Sequence, residues 1–303
     1  MKMYLRLAAA LAATLLSEAS AQAEGPQREA AGQAAARADS LVAQFRYAEA
    51  LEVYKGLCPR CLEGAEAVNA AIAAAQCDQD SLALSFVALA LEADTAFYDE
   101  RISVTELLEA CRLLPEWDAL QAESERRLEN AGTGYDIPLR RQLLEIYHSD
   151  QDVRGHLIMA FKQEPKDQQK INRLAAQMAR ADSTNYAKAM QLLDTYGWIP
   201  RSKAGTANQA LFFVVQHAAP EVIDRYITVF EEAADKGEIP KDLFAKMYDR
   251  NQLFAGKPQR YGTQRVPKEP GSSEAVLWKL EDPENVNSLR KGMGLPPLEG
   301  YPQ

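Results

Sequence analysis

The run Tyr47-Ala48-Glu49-Ala50-Leu51-Glu52-Val53-Tyr54 places Tyr47, Ala50, Leu51 and Tyr54 at i, i+3, i+4 and i+7, one face of a helix. Leu41 and Phe45 lead into it. A similar arrangement returns 33 residues on, with Ala83 in the place of Ala50 and Leu84 in that of Leu51. Phe86, Val87, Ala90 and Leu91 extend that second face, and a third, looser unit takes in Leu107, Leu108, Leu113 and Trp117. Small Ala side chains at the contacts let helices approach closely. Residues 27 to about 130 are therefore expected to form stacked helical hairpins with no evident catalytic group.

The period and pattern resemble tetratricopeptide repeats, although the full signature with its closing proline is missing. Repeat helices of this kind present a groove, which implies a protein or peptide partner.

Outward from the repeats, the chain start has a separate meaning. Lys2 and Arg6 precede the short apolar run Leu7 to Leu16, and Ala21-Gln22-Ala23 is a small-x-small cleavage site before Glu24. That order reads as a secretory signal peptide over 1–23, so the mature protein is expected to be exported, periplasmic or extracellular. No other apolar run reaches the ~20 residues that span a membrane. The 303 residues carry a formal net charge of -9. An acidic surface repels phosphate backbones, which argues against nucleic acid as a partner. The pairs Arg126-Arg127 and Arg140-Arg141 sit among acids and read as solvated helix faces. An oxidising compartment makes disulfides the expectation for Cys58, Cys61, Cys77 and Cys111, with the pairing open. Their irregular spacing lacks a second close pair, so no metal is expected, and no cofactor motif is present.

Gly132-Thr133-Gly134 interrupts the helical pattern and marks a domain boundary. This gives a repeat domain over 24–132 and a mainly helical domain over 133–303. After Pro138, Leu139, Leu143, Tyr147, Leu157, Ile158 and Phe161 fall on one stripe of a long helix. Asp150 and Arg154 fall in the same stripe, four apart, with Gln151 at its edge. A carboxylate and a guanidinium on an apolar stripe must pair, because an isolated buried charge costs several kcal/mol.

Residues 163 to 185 read as a polar loop leading into a helix, and Ala187 to Leu193 as a short amphipathic turn ending at Gly197. From Thr206, a fair N-cap, a buried helix is expected, with Gln209, Gln216 and His217 on the side of Phe212 and Phe213. Further on, Leu243, Met247, Arg250 and Phe254 recur at i, i+4, i+7 and i+11, so Arg250 lies mid-stripe while Asp249 points elsewhere. A guanidinium cannot shed its charge to escape burial. It needs a carboxylate or an anionic ligand, and Asp150 is the candidate partner, with Arg154 competing for it. Gln259, Tyr261, Thr263 and Gln264 lie in a turn-rich loop and supply groups that either orient a polar ligand or satisfy the loop's own backbone. The Pro-rich tail from Val266 to Gln303 is expected to wrap the domain in extended form.

The ordered set is distinctive as a group. It runs Asp150-Gln151 with Arg154, Gly197-Trp198-Ile199-Pro200, Gln216-His217, Asp249-Arg250, Gln259-Arg260-Tyr261-Gly262-Thr263-Gln264, then Arg290, Leu295, Pro296, Leu298 and Tyr301. It resembles a bacterial family known as domain of unknown function six-six-two-four, over roughly residues 136 to 303. The resemblance implies no activity and no established catalytic residue.

Two functions follow from the residues. One is a binding module holding a small polar or anionic ligand or peptide through Asp150, Gln151, Arg154, Trp198, Gln216, His217, Arg250, Gln259, Tyr261, Thr263 and Gln264. The other is a hydrolase-type enzyme with His217 as general base and Arg250 or Gln264 as electrostatic stabiliser. No reaction-specific motif accompanies His217, which places the enzyme second.

Overall fold

Helices carry almost all the regular structure in the computed structural model, which describes residues 25–58, 62–93, 105–162, 165–269, 272 and 274–302. The fold is all-α, with one two-stranded antiparallel hairpin. The expected signal peptide and Cys61 lie outside the described residues. The chain divides into two compact units, Met1–Ile171 with Ser202–Ala207, and Asn172–Arg201 with Asn208–Gln303.

The first unit opens with α1 (Gly25–Ala43), α2 (Tyr47–Lys55), α3 (Gly64–Ala75) and α4 (Asp80–Ala93). A capping box starts α3: the Glu66 carboxylate accepts the Glu63 N–H at 2.8 Å. The interior of α3 is nearly all alanine, and Ala67, Ala70, Ala71, Ala73 and Ala74 are fully buried. Their small side chains let α4 pack closely, and α4 is buried without a break from Ala83 to Leu91.

The turns between paired helices repeat bond for bond. Phe45 and Asp78 are the described non-glycine residues at positive φ, 60° and 56°. In the first turn the Arg46 N–H bonds the Leu41 carbonyl, and in the second the Gln79 N–H bonds the Ala74 carbonyl, both at 2.9 Å. These positions are 33 residues apart, the separation of Ala50 from Ala83 and Leu51 from Leu84, all four buried.

Leu108 at the end of the 3₁₀ turn Glu106–Leu108, Cys111 in the short α5 (Glu109–Arg112), and Trp117 and Leu120 in α6 (Pro115–Asn130) complete this core. Leu113, expected on a helix face, is 81% exposed in the turn between α5 and α6. Cys58, Cys77 and Cys111 are free thiols, so no disulfide forms among the described cysteines. Burial pushes the Cys111 thiol up to about 11, away from reactive thiolate.

Gly132 and Gly134, both at positive φ, make the turn into α7 (Ile137–Lys162), and that turn falls inside the first unit. Helix α7 is continuous through His148-Ser149-Asp150. Its stripe is buried at Leu143 and Tyr147 but not at Ile158 or Phe161, each 53% exposed. Arg140, expected on a solvated face, is buried because it shares the side of Leu143 and Tyr147 at i+3 and i+7.

In the second unit the polar segment expected as a loop is helical. Helix α8 runs unbroken over Gln168–Tyr196 and stops at Gly197, whose φ is 65°. Its first half is rich in Gln, Lys, Ala, Met and Arg, good helix formers. Between Ile171 and Asn185 it buries nothing, so it offered no apolar period to read. The helix expected from Thr206 is interrupted: α9 (Arg201–Ala204) passes through a 3₁₀ turn, Gly205–Asn208, into α10 (Gln209–Val215), and the stretch Ser202–Ala207 within it is grouped with the first unit.

Helix α11 (Pro220–Asp235) buries Ile223, Tyr226 and Phe230, and Phe230 meets Trp198 and Phe212 edge-to-face at 5.8 Å. Helix α12 (Lys241–Phe254) packs against α11. The tail is not wholly extended. It forms the hairpin of β1 (Arg265–Pro267) and β2 (Ala275–Leu277), with Val266 opposite Val276, and then α13 (Val286–Gly292). The stretch between Pro283 and Pro296 is free of proline, which leaves room for that helix.

Candidate functional site

Asp249 organises the motif-bearing loop of the second unit. The expectation that it points away from the buried face is overturned: it is fully buried, while Phe254 of the expected stripe is 64% exposed. The face of α12 that is covered carries Phe244, Ala245, Met247, Asp249 and Asn251. The Asp249 carboxylate accepts the N–H groups of Arg260 at 2.8 Å, Tyr261 at 3.0 Å and Thr263 at 2.9 Å, and the Thr263 hydroxyl at 2.9 Å. A buried carboxylate survives only with such a set of donors.

Gln259, also fully buried, is the second hub. Its amide donates to the Gln264 and Trp278 carbonyls at 3.0 and 2.9 Å, and its Oε1 accepts the Gln264 N–H at 2.7 Å. The Gln264 amide donates to the Lys246 carbonyl and to Thr263 Oγ1. Tyr261 is buried with its ring edge-on to Tyr248 at 5.8 Å, and Arg260 lies over the Tyr248 ring at 4.7 Å.

The tail closes the loop from the other side. Arg290 donates from Nη1 to the Tyr261 and Gly262 carbonyls at 2.6 and 3.1 Å, and from Nε to the Pro296 carbonyl at 2.6 Å. Burial pulls its guanidinium below the ordinary value, and the Asp249 carboxylate opposes that. Gly262 has φ 65°, and a Cβ there would lie 2.6 Å from Leu298 Cδ1. Gln259, Tyr261, Thr263 and Gln264 thus lie together, with much of their hydrogen-bonding capacity spent on the loop itself.

Beside them, the Arg250 Nη2 donates to the Gln216 backbone carbonyl at 2.7 Å and to its Oε1 at 3.4 Å. The guanidinium therefore sits at the C-terminal carbonyls of α10, where a helix favours positive charge. His217 follows in an exposed turn and not in the core. Trp198 is half-buried against Phe230.

In the first unit, Asp150, Gln151 and Arg154 come together as expected. Arg154 donates from Nε and Nη2 to the two Asp150 oxygens at 3.2 Å each, and the Gln151 amide adds a bond of 2.6 Å. Asp150 is 1% exposed.

The next turn of α7 carries a group the sequence reading passed over. Asp152 pairs with Arg112 Nη2 at 2.6 Å, their side chains 15% and 9% exposed. The same guanidinium donates from Nη1 to the Thr105 carbonyl at 2.7 Å. One turn along, His156 Nε2 meets Glu109 Oε2 at 2.6 Å. Of these groups, Asp152, Glu109 and His156 line a half-open pocket of about 410 Å³, whose other walls include Gln76, Asp78, Leu107, Ala110 and Ile158. Burial pushes the Asp152 carboxyl up to about 6, against the opposing pull of Arg112. The usable signal was spacing: Asp152 and His156 are four apart on α7, and Glu109 and Arg112 three apart on α5.

A model of a family described as "Family of unknown function (DUF6624)" matches residues 137–303. No match supports the repeat resemblance of residues 24–132. No curated protein matches the chain, and no solved structure matches it.

Proposed function

The chain belongs to this family of unknown function, and from that premise we propose that it is an exported binding module holding a small polar ligand or short peptide. The pocket walled by Gln76, Glu109, Asp152 and His156 is the proposed seat. What carries this reading is the coincidence, in one half-open cavity of about 410 Å³, of apolar walls with a carboxyl whose charge is contested by burial. Cavities with a few converging polar groups and a perturbed titratable residue are the usual place for a ligand. The groups of the 259–264 loop, by contrast, already bind one another. The hairpin repeats, read as tetratricopeptide-like, supply one wall of the pocket and suit a peptide. Export rests on the basic start, apolar run and cleavage site at the chain's beginning.

The test is a thermal-shift screen of the full chain against short peptides, anions, peptidoglycan fragments and divalent metals. A ligand at 100 times its dissociation constant should stabilise by about 2.7 kcal/mol. The gain should vanish in Ala110→Trp, which fills the pocket. If no panel member shifts the melt, or Ala110→Trp binds as well as the natural chain, the reading fails.

A hydrolase-type role for His217 is the competing proposal. It is favoured by the exposure of that imidazole, next in sequence to the Gln216 that meets Arg250. Ester or amide hydrolysis by the natural chain, abolished in His217→Ala, would establish it.

A further inference from the structure

One face of α7 carries a row of polar side chains. Arg141, Glu145, His148, Asp152 and His156 follow at steps of four, three, four and four residues, which stack them along the helix. The first three line a half-open cavity of about 360 Å³, walled on its other side by Asp118, Gln121 and Glu125 of α6. The last two line the pocket of about 410 Å³ described above. The cavities meet at adjacent turns: His148 Nδ1 of the first stands 4.0 Å from Asp152 Oδ1 of the second. All of these residues belong to the first unit.

The charges divide between floor and rim. On the floor, Glu125 is 6% exposed and accepts Arg141 Nε at 3.3 Å, and Asp152 is held by Arg112. Glu109 meets His156. At the rim, Asp78, Asp118 and Glu145 are exposed, and none of them forms an ion pair with a described residue. Arg141 and Arg112 are each spent on a floor carboxylate, so the rim keeps an excess of negative charge. Exposed apolar side chains accompany it. Leu113, 81% exposed, lies in the turn that joins the α5 wall of one cavity to the α6 wall of the other, and Ile158, 53% exposed, lines the far pocket.

Deepening the binding reading above, and resting on it, we propose that the two cavities are neighbouring subsites of one groove that takes an extended basic peptide. Its Lys or Arg side chains meet the rim carboxylates, and its apolar side chains cover Leu113 and Ile158. From Glu145 to Ile158 the row runs about 20 Å at the rise of an α-helix. That is the reach of about six extended residues, whose side chains alternate between two sides. The length separates a peptide from a single amine, and the sign of the charge separates a basic peptide from an acidic one. Both cavities are half-open as they stand, so binding leaves Leu108 and Cys111 in the core.

Fluorescence anisotropy on the full chain tests the groove, with a labelled six-residue peptide that alternates Lys and Leu and is capped at both ends. It should bind, and its affinity should fall as ionic strength rises through about 0.1 M. Glu145→Gln and Asp78→Asn, at exposed positions in separate cavities, should each weaken it about threefold, and both together about tenfold. Ala122→Trp, which fills the cavity on α6, should weaken it at least as much as the double variant. Glu284→Gln, at an exposed acid of the second unit, should leave it unchanged. Equal binding of the peptide with Glu in place of Lys overturns the proposal, and so does lysine amide binding as tightly as the six-residue peptide. A loss in Glu284→Gln equal to that in Glu145→Gln also overturns it, since any acidic surface would then serve. If Ala110→Trp abolishes binding while Glu145→Gln and Ala122→Trp leave it unchanged, the groove falls and the single pocket stands. If the peptide binds and is weakened by Glu145→Gln and Asp78→Asn while the thermal-shift panel gives no hit, the groove stands and the small-ligand reading falls.

Discussion

Asp249 and Asp152 are both withdrawn from water, yet they do opposite things. Asp249 receives the N–H groups of three residues and a hydroxyl, and the loop it gathers is sealed by Arg290 and Leu298. Asp152 has one guanidinium, a cavity beside it, and a carboxyl pushed up to about 6. The first arrangement uses charge to build a loop; the second leaves charge available to respond. A dense run of polar motifs in a sequence can therefore mark architecture, while the responsive group lies in an unremarked turn of a helix.

The comparison breaks most visibly if Asp249 can be lost. Asp249→Ala strands several buried donors, each costing about 1–3 kcal/mol, so urea unfolding should show a loss of at least about 3 kcal/mol. A smaller loss would remove Asp249 from the centre of the loop. Gly262→Ala comes next, at about 2 kcal/mol, from a positive φ and the clash with Leu298. The double variant Gly262→Ala/Leu298→Ala should recover the steric part of that loss, because the methyl it meets is gone.

The Asp152 effect is sharper in pH than in size. Its value of about 6 in the folded chain lies above the ordinary 3.8, so the folded state holds the proton longer. Its contribution is complete below about pH 4 and is lost as the pH rises through about 6, for a change of about 3 kcal/mol at most. Comparing urea midpoints of the natural chain and Asp152→Asn across that window reads this term; parallel curves would contradict it. His217→Ala, at an exposed turn, should change stability by no more than about 0.5 kcal/mol in the same assay.

Much of the fold could be read from periodicity. The 33-residue echo of Ala50 and Leu51 in Ala83 and Leu84 corresponds to buried positions and to matching turns at Phe45 and Asp78. The Asp150–Arg154 pair was legible because both residues share a stripe with Leu143 and Tyr147. Helix α8 was not, since its exposed first half leaves no apolar face for a period to show. Asp249 was misplaced because its cover comes from a loop distant in sequence, residues 260–263, and a helical wheel knows only its own helix. Asp152 was missed for a related reason: its partner Arg112 sits 40 residues upstream, and the four-residue spacing to His156 on α7 shows a shared face but not what covers it.

The most direct measurement is hydrogen exchange of the full chain with and without the compound that gives the largest thermal shift. The account predicts that added protection falls on residues 75–78, 105–112 and 152–158, and leaves 249 and 259–264 as they were. Protection gained at the 259–264 loop, with the pocket segments unchanged, would contradict it and return the ligand to the motif residues.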